Sequence, residues 1–506
     1  MAQTLFPPLA HRSSGVLAHL SSLPSDFGIG TLGKEARRFI DFLQTCGFSY
    51  WQMCPIGPTG YGDSPYQSLS SFAGNPYFID FEELIENKLL ENGQLSTLRG
   101  LSKIKTNYQV LYQLHEPLLR EAFAKFHEHP SKFPFHSEQT VFLRKNQEWL
   151  MPYSTFRAFK KYFNDAPFWE WDPHLKTYEK AQKSQLYKDL HQEIEFHKFV
   201  QFLFFHQWNS LYQYAKSKNI KLIGDIPIFI ARDSADLWSN SSLFKLDGNG
   251  NPDHVSGVPP DYFSELGQFW GNPLYNWNKA GLKCYKWWSE RLKHNFKLFD
   301  VLRLDHFRGF ESYWSIPVNA PDARTGKWLK GPGFSFFKYL SNELPEACFI
   351  AEDLGMITEE VIAMREKTGL AGMAILQFAF DGDPKNAFLP HNLTRNFVAY
   401  AGTHDNDTSK GWYDHLNDSQ KDQVRRYFRI SGNDIAWDLI RALYESPCNL
   451  IIIAMQDLLN KGSEARFNLP GSSQGNWQWR FTLEELELLQ KKSSNSLQEL
   501  KWLYSR

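Results

Sequence analysis

Three carboxylates in this chain stand where a short apolar run ends: Asp305 in VLRLDHFRG, Glu352 in FIAEDLG and Asp405 in AYAGTHDNDT. Such a run is typical of a buried strand whose carboxyl end opens onto a site. In a (β/α) barrel, catalytic groups lie at those strand ends and come from strands far apart in sequence. Two carboxylates that approach each other, with a third nearby, are what glycoside chemistry requires. We therefore predict an enzyme.

Arg303 precedes Asp305 by two residues, and residues two apart in a strand share a face. We expect the guanidinium to lower the pKa of Asp305 and keep it ionised, as a covalent nucleophile must be. The alternative is a buried ion pair that only fixes strand register. His306 and Arg308 follow directly, and so dense a polar patch in a core strand favours a functional role.

Glu352 and Asp353 are neighbours, so strand alternation places them on opposite faces and only one should enter the site. A glutamate below an apolar run, with a like charge nearby, has a raised pKa, as a general acid near neutral pH requires. The alternative is an acid that caps the helix after Gly355, a role we assign to Asp353. Glu352 is therefore the predicted acid.

Asp405 follows His404, and together they suggest hydrogen bonds to vicinal hydroxyls. Asp407 or Thr408 could instead cap the next helix.

A further interpretation of the pairs Asp305-His306 and His404-Asp405 is that they bind a metal. Neither histidine has the HxH or HxxxH spacing of a metal site, so we rank a catalytic metal below glycoside chemistry. We expect no metal and no cofactor.

Eight apolar runs have strand length: 15–20, 50–56, 221–230, 301–307, 348–354, 373–380, 397–404 and 450–455. Helical patterns lie between several of them, at 34–46, at 358–368 and around 419–430. Strands that alternate with helices predict a parallel sheet, and eight such units with polar strand ends predict an α/β (β/α)₈ barrel.

Two insertions interrupt the alternation, after the second and third predicted strands. Residues 80–195 are charge-rich with helical patterns, which predicts an inserted α-helical subdomain, and 193–218 reads as an amphipathic helix returning to the barrel. Residues 231–278 are rich in Asp, Gly, Asn, Pro and aromatics, which predicts a loop-rich insertion that covers a cleft. Apart from these two insertions, we predict that residues 1–506 form a single catalytic barrel.

The 55 basic and 56 acidic residues leave a net charge of -1, which gives no electrostatic case for binding nucleic acid or an anionic membrane. Five scattered cysteines without a CxxC pair predict inert core thiols in a reducing compartment. The N-terminal residues show no signal-peptide pattern, and no apolar run approaches the ~20 residues of a membrane helix. We expect a cytoplasmic protein.

Several aromatic residues lie in loops rich in Gly, Pro and Asp, where no strand or helix core accounts for them. Rigid amphipathic rings in such loops suit a sugar-binding surface, although a large barrel also packs many aromatics. This set comprises Tyr61, Tyr66, Tyr262, Phe263 and Trp270.

The motifs VLRLDHFRG, AEDLG and GTHDNDT, with GDSPYQ, AGNP, GVPPDYFSELGQFWGNPLYNW and GNWQWR, resemble the 4-α-glucanotransferase family of amylomaltases and disproportionating enzymes. They occur in the family's order from about residue 12 to 481, nearly the whole chain. The family is related to the α-amylases, and the resemblance implies a (β/α)₈ barrel with insertions and without a C-terminal β-sandwich.

The resemblance implies that Asp305 is the nucleophile, Glu352 the general acid/base and Asp405 the transition-state stabiliser. It also implies that Arg303 supports the nucleophile and that His306 and His404 bind sugar hydroxyls. The further substrate contacts it implies are Tyr61, Asp63, Ser64, Asp261, Tyr262, Phe263, Trp270 and Asn476.

The expected reaction is a retaining transfer of α-1,4-glucan segments between maltooligosaccharides, glycogen or starch chains, through a covalent glucosyl-enzyme. Retention requires the two carboxyl groups about 5–5.5 Å apart. The rivals are an α-amylase-type hydrolase with water as acceptor, a metal-dependent barrel enzyme and a non-catalytic glucan-binding protein. We expect a monomer or a weak homodimer.

Overall fold

The structure is a computed structural model that describes residues 4–260, 264–472 and 474–506. Within these ranges the chain forms twelve strands, β1 to β12. In chain order they are Ser13–Leu17, Tyr50–Gln52, Lys221–Pro227, His254–Val258, Gln268–Pro273, Val301–Asp305, Ser312–Pro317, Lys327–Lys330, Phe349–Ala351, Gly372–Ile375, Phe397–Tyr400 and Leu450–Ala454.

Eight of these strands form a parallel sheet in the order β10-β11-β12-β1-β2-β3-β6-β9. A parallel bridge between Ile350 and Ala371 joins its two ends, and the amide of Ala351 donates to the carbonyl of Ala371 at 2.8 Å. The sheet is thereby closed into a barrel. Each of the eight predicted runs overlaps one of these strands, so the predicted (β/α)₈ barrel is confirmed.

The described residues also form nineteen α-helices, α1 to α19. In chain order they are Lys34–Thr45, Phe81–Glu86, Ser96–Arg99, Tyr108–Glu128, His136–Lys145, Gln147–Tyr162, Tyr178–Ala181, Gln185–Asp189, His191–Ser217, Ala235–Ser239, Trp277–Ala280, Leu282–Asn295, Gly333–Glu343, Glu359–Thr368, Ser409–His415, Asp418–Phe428, Ile435–Glu445, Met455–Leu458 and Leu483–Leu503. The helices predicted from periodicity correspond to α1, α9, α14 and α16. No helix within the described ranges is both long and apolar enough to cross a membrane.

Helices α2 to α9 all lie between β2 and β3, where the sequence predicts a helical insertion. The long helix α9 packs against α4, α5 and α6 and leads the chain back to β3. The boundary of a separate subdomain at 80–195 stays a prediction.

A second, antiparallel sheet has the order β5-β4-β7-β8 and is built from segments on both sides of β6. Two of its strands, β4 and β5, lie within 231–278, so that insertion contains regular structure that its composition did not reveal. The reason is that β4 (HVSGV) and β5 (QFWGNP) contain glycine and proline, which are depleted in strands. We call this four-stranded sheet the side sheet.

The barrel strands are buried on both faces, and alternate residues serve two cores. In β12, Leu450 and Ile452 belong to the cluster inside the barrel, whereas Ile451 and Ile453 belong to the larger cluster under the helices. The sequences of these strands are continuous apolar segments because neither face of the sheet is exposed to water. After Ala454 the described residues form helices and turns and no further strand.

Candidate active site

Arg303 lies at the centre of the carboxyl ends of the barrel strands, and its guanidinium joins two carboxylates. Its Nη1 donates to Asp305 Oδ1 at 2.9 Å and to Asp225 Oδ2 at 2.7 Å. The side chain of Arg303 is buried, with 4% of its surface exposed, against 28% for Asp305. The predicted same-face contact between Arg303 and Asp305 is confirmed.

Asp225 is a residue of the site that the motif analysis missed. It lies in β3, directly across from Arg303 in the register of β3 and β6, and is buried. Its Oδ2 also accepts a hydrogen bond from the hydroxyl of Tyr66 at 2.9 Å. A single charge inside the apolar run KLIGDIPIFI was the available signal, because an isolated charge in a core strand is costly without a partner.

Tyr66 joins Asp225 to His404. Its hydroxyl lies 2.8 Å from His404 Nε2, and the two rings stack with centroids 5.2 Å apart. Because the one hydroxyl hydrogen goes to Asp225, His404 Nε2 must carry a proton and donate to Tyr66. Burial lowers the pKa of His404, so the ring is neutral at physiological pH with its proton on Nε2.

Glu352 follows β9, and backbone amides hold both of its carboxyl oxygens. His306 donates to Oε2 at 2.7 Å and Leu354 donates to Oε1 at 2.9 Å. The amide of Glu352 donates to the carbonyl of Leu304 at 3.0 Å, which continues the pairing of β6 with β9 and brings Glu352 beside Asp305.

The crowding of carboxylates sets the protonation of the site. Burial raises the pKa of Asp305, and Asp225, Glu352 and Asp405 raise it further, while Arg303 opposes the rise. The net direction differs from the predicted lowering because desolvation outweighs the guanidinium. Burial also raises the pKa of Glu352. Arg303 and the amides of Leu354 and His306 oppose that rise, so the two neighbouring carboxyl groups lie in one environment that favours a shared proton.

Asp405 is more exposed than Asp305, with 45% of its side-chain surface accessible against 28%. Asn468 donates to its Oδ1 at 2.6 Å, and His404 Nε2 lies 3.4 Å from its Oδ2. The site therefore fixes Asp405 while leaving part of the carboxylate open to a ligand. Asn468, like Asp225, was not singled out in the sequence.

His306 occupies the left-handed backbone region, with φ of 53°. Its ring packs edge-on against Trp270 with centroids 4.8 Å apart, and its buried Nε2 has no hydrogen-bond partner among the residues the structure describes. Burial lowers the pKa of His306 to about 3, so the ring is neutral. Strain in a non-glycine residue and an unpaired buried nitrogen are typical of a ligand-binding position.

Two predicted contacts, Asp63 and Trp270, line a cavity of about 830 Å³ beside the barrel, between the 108–201 helices and loops that include 58–77 and 231–233. Ser64 Oγ accepts from the amide of Tyr66 at 3.3 Å. The amide group of Asn476 bonds to the backbone of Leu469 and Ser472, so it closes its own loop. The roles of these four residues as substrate contacts stay predictions.

Four predicted contacts cannot be placed. Asp261, Tyr262 and Phe263 lie outside the described residues, and so does the side chain of Tyr61.

Asp353 has a different role from the predicted helix cap. It accepts from Arg365 Nη1 at 2.9 Å and from the amide of Met373 at 2.8 Å, whereas α14 is preceded by Thr358. The cap prediction for Asp353 was wrong because α14 begins at Glu359, well beyond the residue that follows Asp353. Asp353 is directed away from Glu352, as alternation predicts, and Thr408 does cap α15.

We predict that Tyr66→Phe keeps the ring stacked on His404 but lowers kcat/KM for maltotriose by roughly 10- to 100-fold, because the imidazole loses the partner that orients it. The same change should lower the free energy of unfolding by about 1–2 kcal/mol, since Asp225 and His404 lose a shared hydrogen bond. Steady-state kinetics and urea unfolding measure the two effects. Tyr504→Phe, which removes an exposed hydroxyl bonded to Glu445, is the matched control, and equal kinetics in both variants would contradict the role of Tyr66.

A closed (β/α)₈ barrel with three strand-end carboxylates, one of them bonded to a buried guanidinium, is the arrangement that an enzyme of glycoside chemistry requires. The chain belongs to glycoside hydrolase family 77, the 4-alpha-glucanotransferases. The sequence model of this family matches residues 18–485. It is therefore an enzyme that transfers α-glucan segments, as the sequence motifs implied. Family membership, and not the geometry alone, decides against the metal-dependent and non-catalytic readings.

Relatives of similar length are named 4-alpha-glucanotransferase. The chain is 44% identical over 467 residues to the 4-alpha-glucanotransferase of Clostridium butyricum, covering 91% of this chain and 95% of the relative. It is 44% identical over 473 residues to the 4-alpha-glucanotransferase of Aquifex aeolicus, covering 93% of this chain and 95% of the relative. Among solved structures, the amylomaltase of Streptococcus agalactiae in complex with acarbose is 37% identical with a TM-score of 0.93, covering 98% of this chain and 99% of that one.

Proposed function

We propose that the enzyme works by a retaining double displacement. Glu352 donates its proton to the glycosidic oxygen while Asp305 attacks the anomeric carbon, so that the C1–O4 bond breaks and a C1–carboxylate ester forms. Glu352 then takes the proton from the 4-hydroxyl of an acceptor glucan. That oxygen attacks C1, the new α-1,4 bond forms, and Asp305 is released as the carboxylate.

The observation that carries this assignment is the unequal treatment of the two carboxyl groups. Asp305 has a direct guanidinium partner, and its Oδ2 accepts no hydrogen bond from the described part of the chain, which suits a nucleophile. Glu352 accepts only from backbone amides in the described part of the chain, which orient it, while burial raises its pKa, as an acid requires.

Asp405, His404 and His306 are proposed to bind the hydroxyls of the sugar whose bond is cleaved. Neutral imidazoles can donate and accept hydrogen bonds, and the partly exposed carboxylate of Asp405 can accept two. These bonds strengthen as the ring flattens towards an oxocarbenium ion, which stabilises the transition state.

Transfer instead of hydrolysis requires that water be excluded and an acceptor glucan be bound while the ester exists. We assign both tasks to residues 231–278, with Asp261, Tyr262, Phe263 and Trp270 as contacts and with Tyr61, Asp63, Ser64 and Asn476 on the facing loops. The proposed substrates are maltooligosaccharides and the α-1,4 chains of glycogen or starch. The acarbose bound by the amylomaltase of Streptococcus agalactiae is consistent with this choice.

Trapping the ester tests the nucleophile. Incubation with a 5-fluoro-α-maltosyl fluoride, whose ester hydrolyses slowly, should add one maltosyl mass to the peptide that contains Asp305, as read by mass spectrometry. Asp305→Asn is the control and should stay unlabelled. A label on another residue, or products of inverted configuration by NMR, would overturn the mechanism.

With maltotriose as the only substrate, we predict a ladder of longer maltooligosaccharides together with glucose. A transferred segment must lengthen one molecule as it shortens another, whereas hydrolysis only shortens. Chromatography of the products against time measures the ratio. Shortening alone would favour the α-amylase-type rival and would show that the acceptor site is not selective against water.

We further propose a reducing compartment, the cytoplasm, and a monomer or weak homodimer. All five cysteines are free thiols, four of them buried, which fits a compartment where disulfides do not form.

A further inference from the structure

The short segment 306–308, directly after Asp305, holds the Glu352 loop at three points. The amide of His306 donates to Glu352 Oε2 at 2.7 Å, and the amide of Phe307 donates to the carbonyl of Glu352 at 3.0 Å. The third contact is made by the side chain of Arg308, whose Nη1 donates to the carbonyl of Met356. One segment thus connects the proposed nucleophile to the proposed acid.

The Met356 contact controls the second hydrogen bond of the Glu352 carboxyl group. Leu354, which donates to Glu352 Oε1, lies two residues before Met356, with Gly355 at a φ of 83° between them. The Met356 side chain is 52% exposed, so its own packing does little to fix the loop. The bond from Arg308 to the Met356 carbonyl therefore limits how far the Leu354 amide can move from Glu352.

Arg308 is held rigidly by the side sheet. It is buried, its guanidinium carbon lies 3.7 Å from the centroid of the Trp328 ring in β8, and Nη2 donates to Ser312 Oγ in β7 at 3.3 Å. Trp328 in turn packs edge-on against Trp314 at 5.1 Å. A planar guanidinium stacked on an aromatic ring keeps its donors in a fixed direction, which a lysine does not.

We propose that Arg308 is a positioning residue for Glu352, acting through the 354–356 loop, and that the side sheet is the support against which it holds the acid. The inference rests on the proposed acid/base role of Glu352. Arg308 itself lies behind the loop and need not touch the glucan. Its loss should therefore impair proton transfer much more than substrate binding.

Arg308→Met is the first test, because methionine fills much of the same volume without a donor. We expect kcat for maltotriose disproportionation to fall by about 10- to 100-fold, within the range that general acid–base catalysis contributes, with KM changed less than about threefold. Arg324→Met is the matched control, since Arg324 pairs only locally with Asp322 at the surface of the same region, and it should retain wild-type kcat.

A donor that needs no protonation separates positioning of the acid from general damage. Fluoride leaves without a proton, and azide attacks the glycosyl-enzyme without a base, so α-maltosyl fluoride with azide bypasses both tasks of Glu352. We expect the deficit of Arg308→Met to shrink to less than about threefold with this pair of reagents. An equal deficit with maltotriose and with the fluoride–azide pair would overturn the proposal.

Glu352→Gln distinguishes failure of this inference from failure of the proposed function. It should lose activity on maltotriose and be rescued by the same pair of reagents. Without that rescue, the acid/base assignment of Glu352 fails; with it, an unrescued Arg308→Met refutes only the role of Arg308.

Two further variants keep the test decisive if Arg308→Met does not fold. Arg308→Lys keeps a donor for the Met356 carbonyl. It should recover at least half of the decrease in log kcat that Arg308→Met causes. Trp328→Leu removes only the ring beneath the guanidinium and should show a smaller loss with the same rescue. A Trp328→Leu deficit that fluoride and azide leave unchanged would also overturn the proposal.

Discussion

Asp305→Asn is expected to lower glucan transfer by about 10⁴-fold or more, as loss of a catalytic nucleophile does in other enzymes. An uncharged amide cannot form the ester, although its oxygen can still accept from Arg303 Nη1, now 2.9 Å from Asp305 Oδ1. Transfer from maltotriose, measured as glucose release and ladder formation, gives the loss. A variant that keeps more than about a tenth of wild-type activity would refute the nucleophile assignment.

The same substitution should raise stability at neutral pH. Burial, followed by the neighbouring carboxylates, raises the pKa of Asp305 in the folded protein, so its ionised form is more costly folded than unfolded. That cost is present above the folded pKa and disappears as the pH falls below the unfolded pKa. The increase in the free energy of unfolding caused by Asp305→Asn should therefore become smaller as the pH is lowered. Asp189→Asn, an exposed helix position, is the control and should change neither activity nor the pH dependence of unfolding.

The parts of the site that could be predicted lie where sequence pattern alone fixes position. Asp305, Glu352 and Asp405 each end an apolar run, and the end of a strand buried on both faces is where a charge reaches solvent or a ligand. Periodicity of two also put Arg303 beside Asp305 without knowledge of any partner strand. These inferences needed one segment at a time.

What could not be predicted depends on contacts between distant segments. Asp225 faces Arg303 because β3 and β6 pair in a particular register, which barrel closure sets and no local pattern records. Tyr66 stood out as a loop aromatic suited to stacking on sugar, yet its hydroxyl is used to join Asp225 to His404. The net pKa direction of Asp305 likewise depends on its burial in the assembled barrel and on the positions of three other carboxylates.

Arg303→Met is expected to have the largest effect on stability. The variant leaves Asp225 and Asp305 buried without their shared countercharge, and loss of one partner of a buried pair costs about 3–5 kcal/mol. Transfer should fall as well, because Asp305 would then take up a proton and lose its charge. Urea unfolding at neutral pH and the maltotriose assay measure the two losses.

The pH dependence identifies charge as the cause. Without Arg303 the folded pKa of Asp305 rises further above its unfolded value, because the guanidinium is the contact that opposes the rise. The extra cost is therefore largest at neutral pH and falls as acid neutralises the carboxylate of Asp305. Arg303→Lys should restore part of the stability, and Asp225→Asn in the Arg303→Met background should do so by removing the facing charge. An equal loss at neutral and acid pH would instead mean that Arg303 matters for its packing, and the cluster would then not be the electrostatic unit that its geometry indicates.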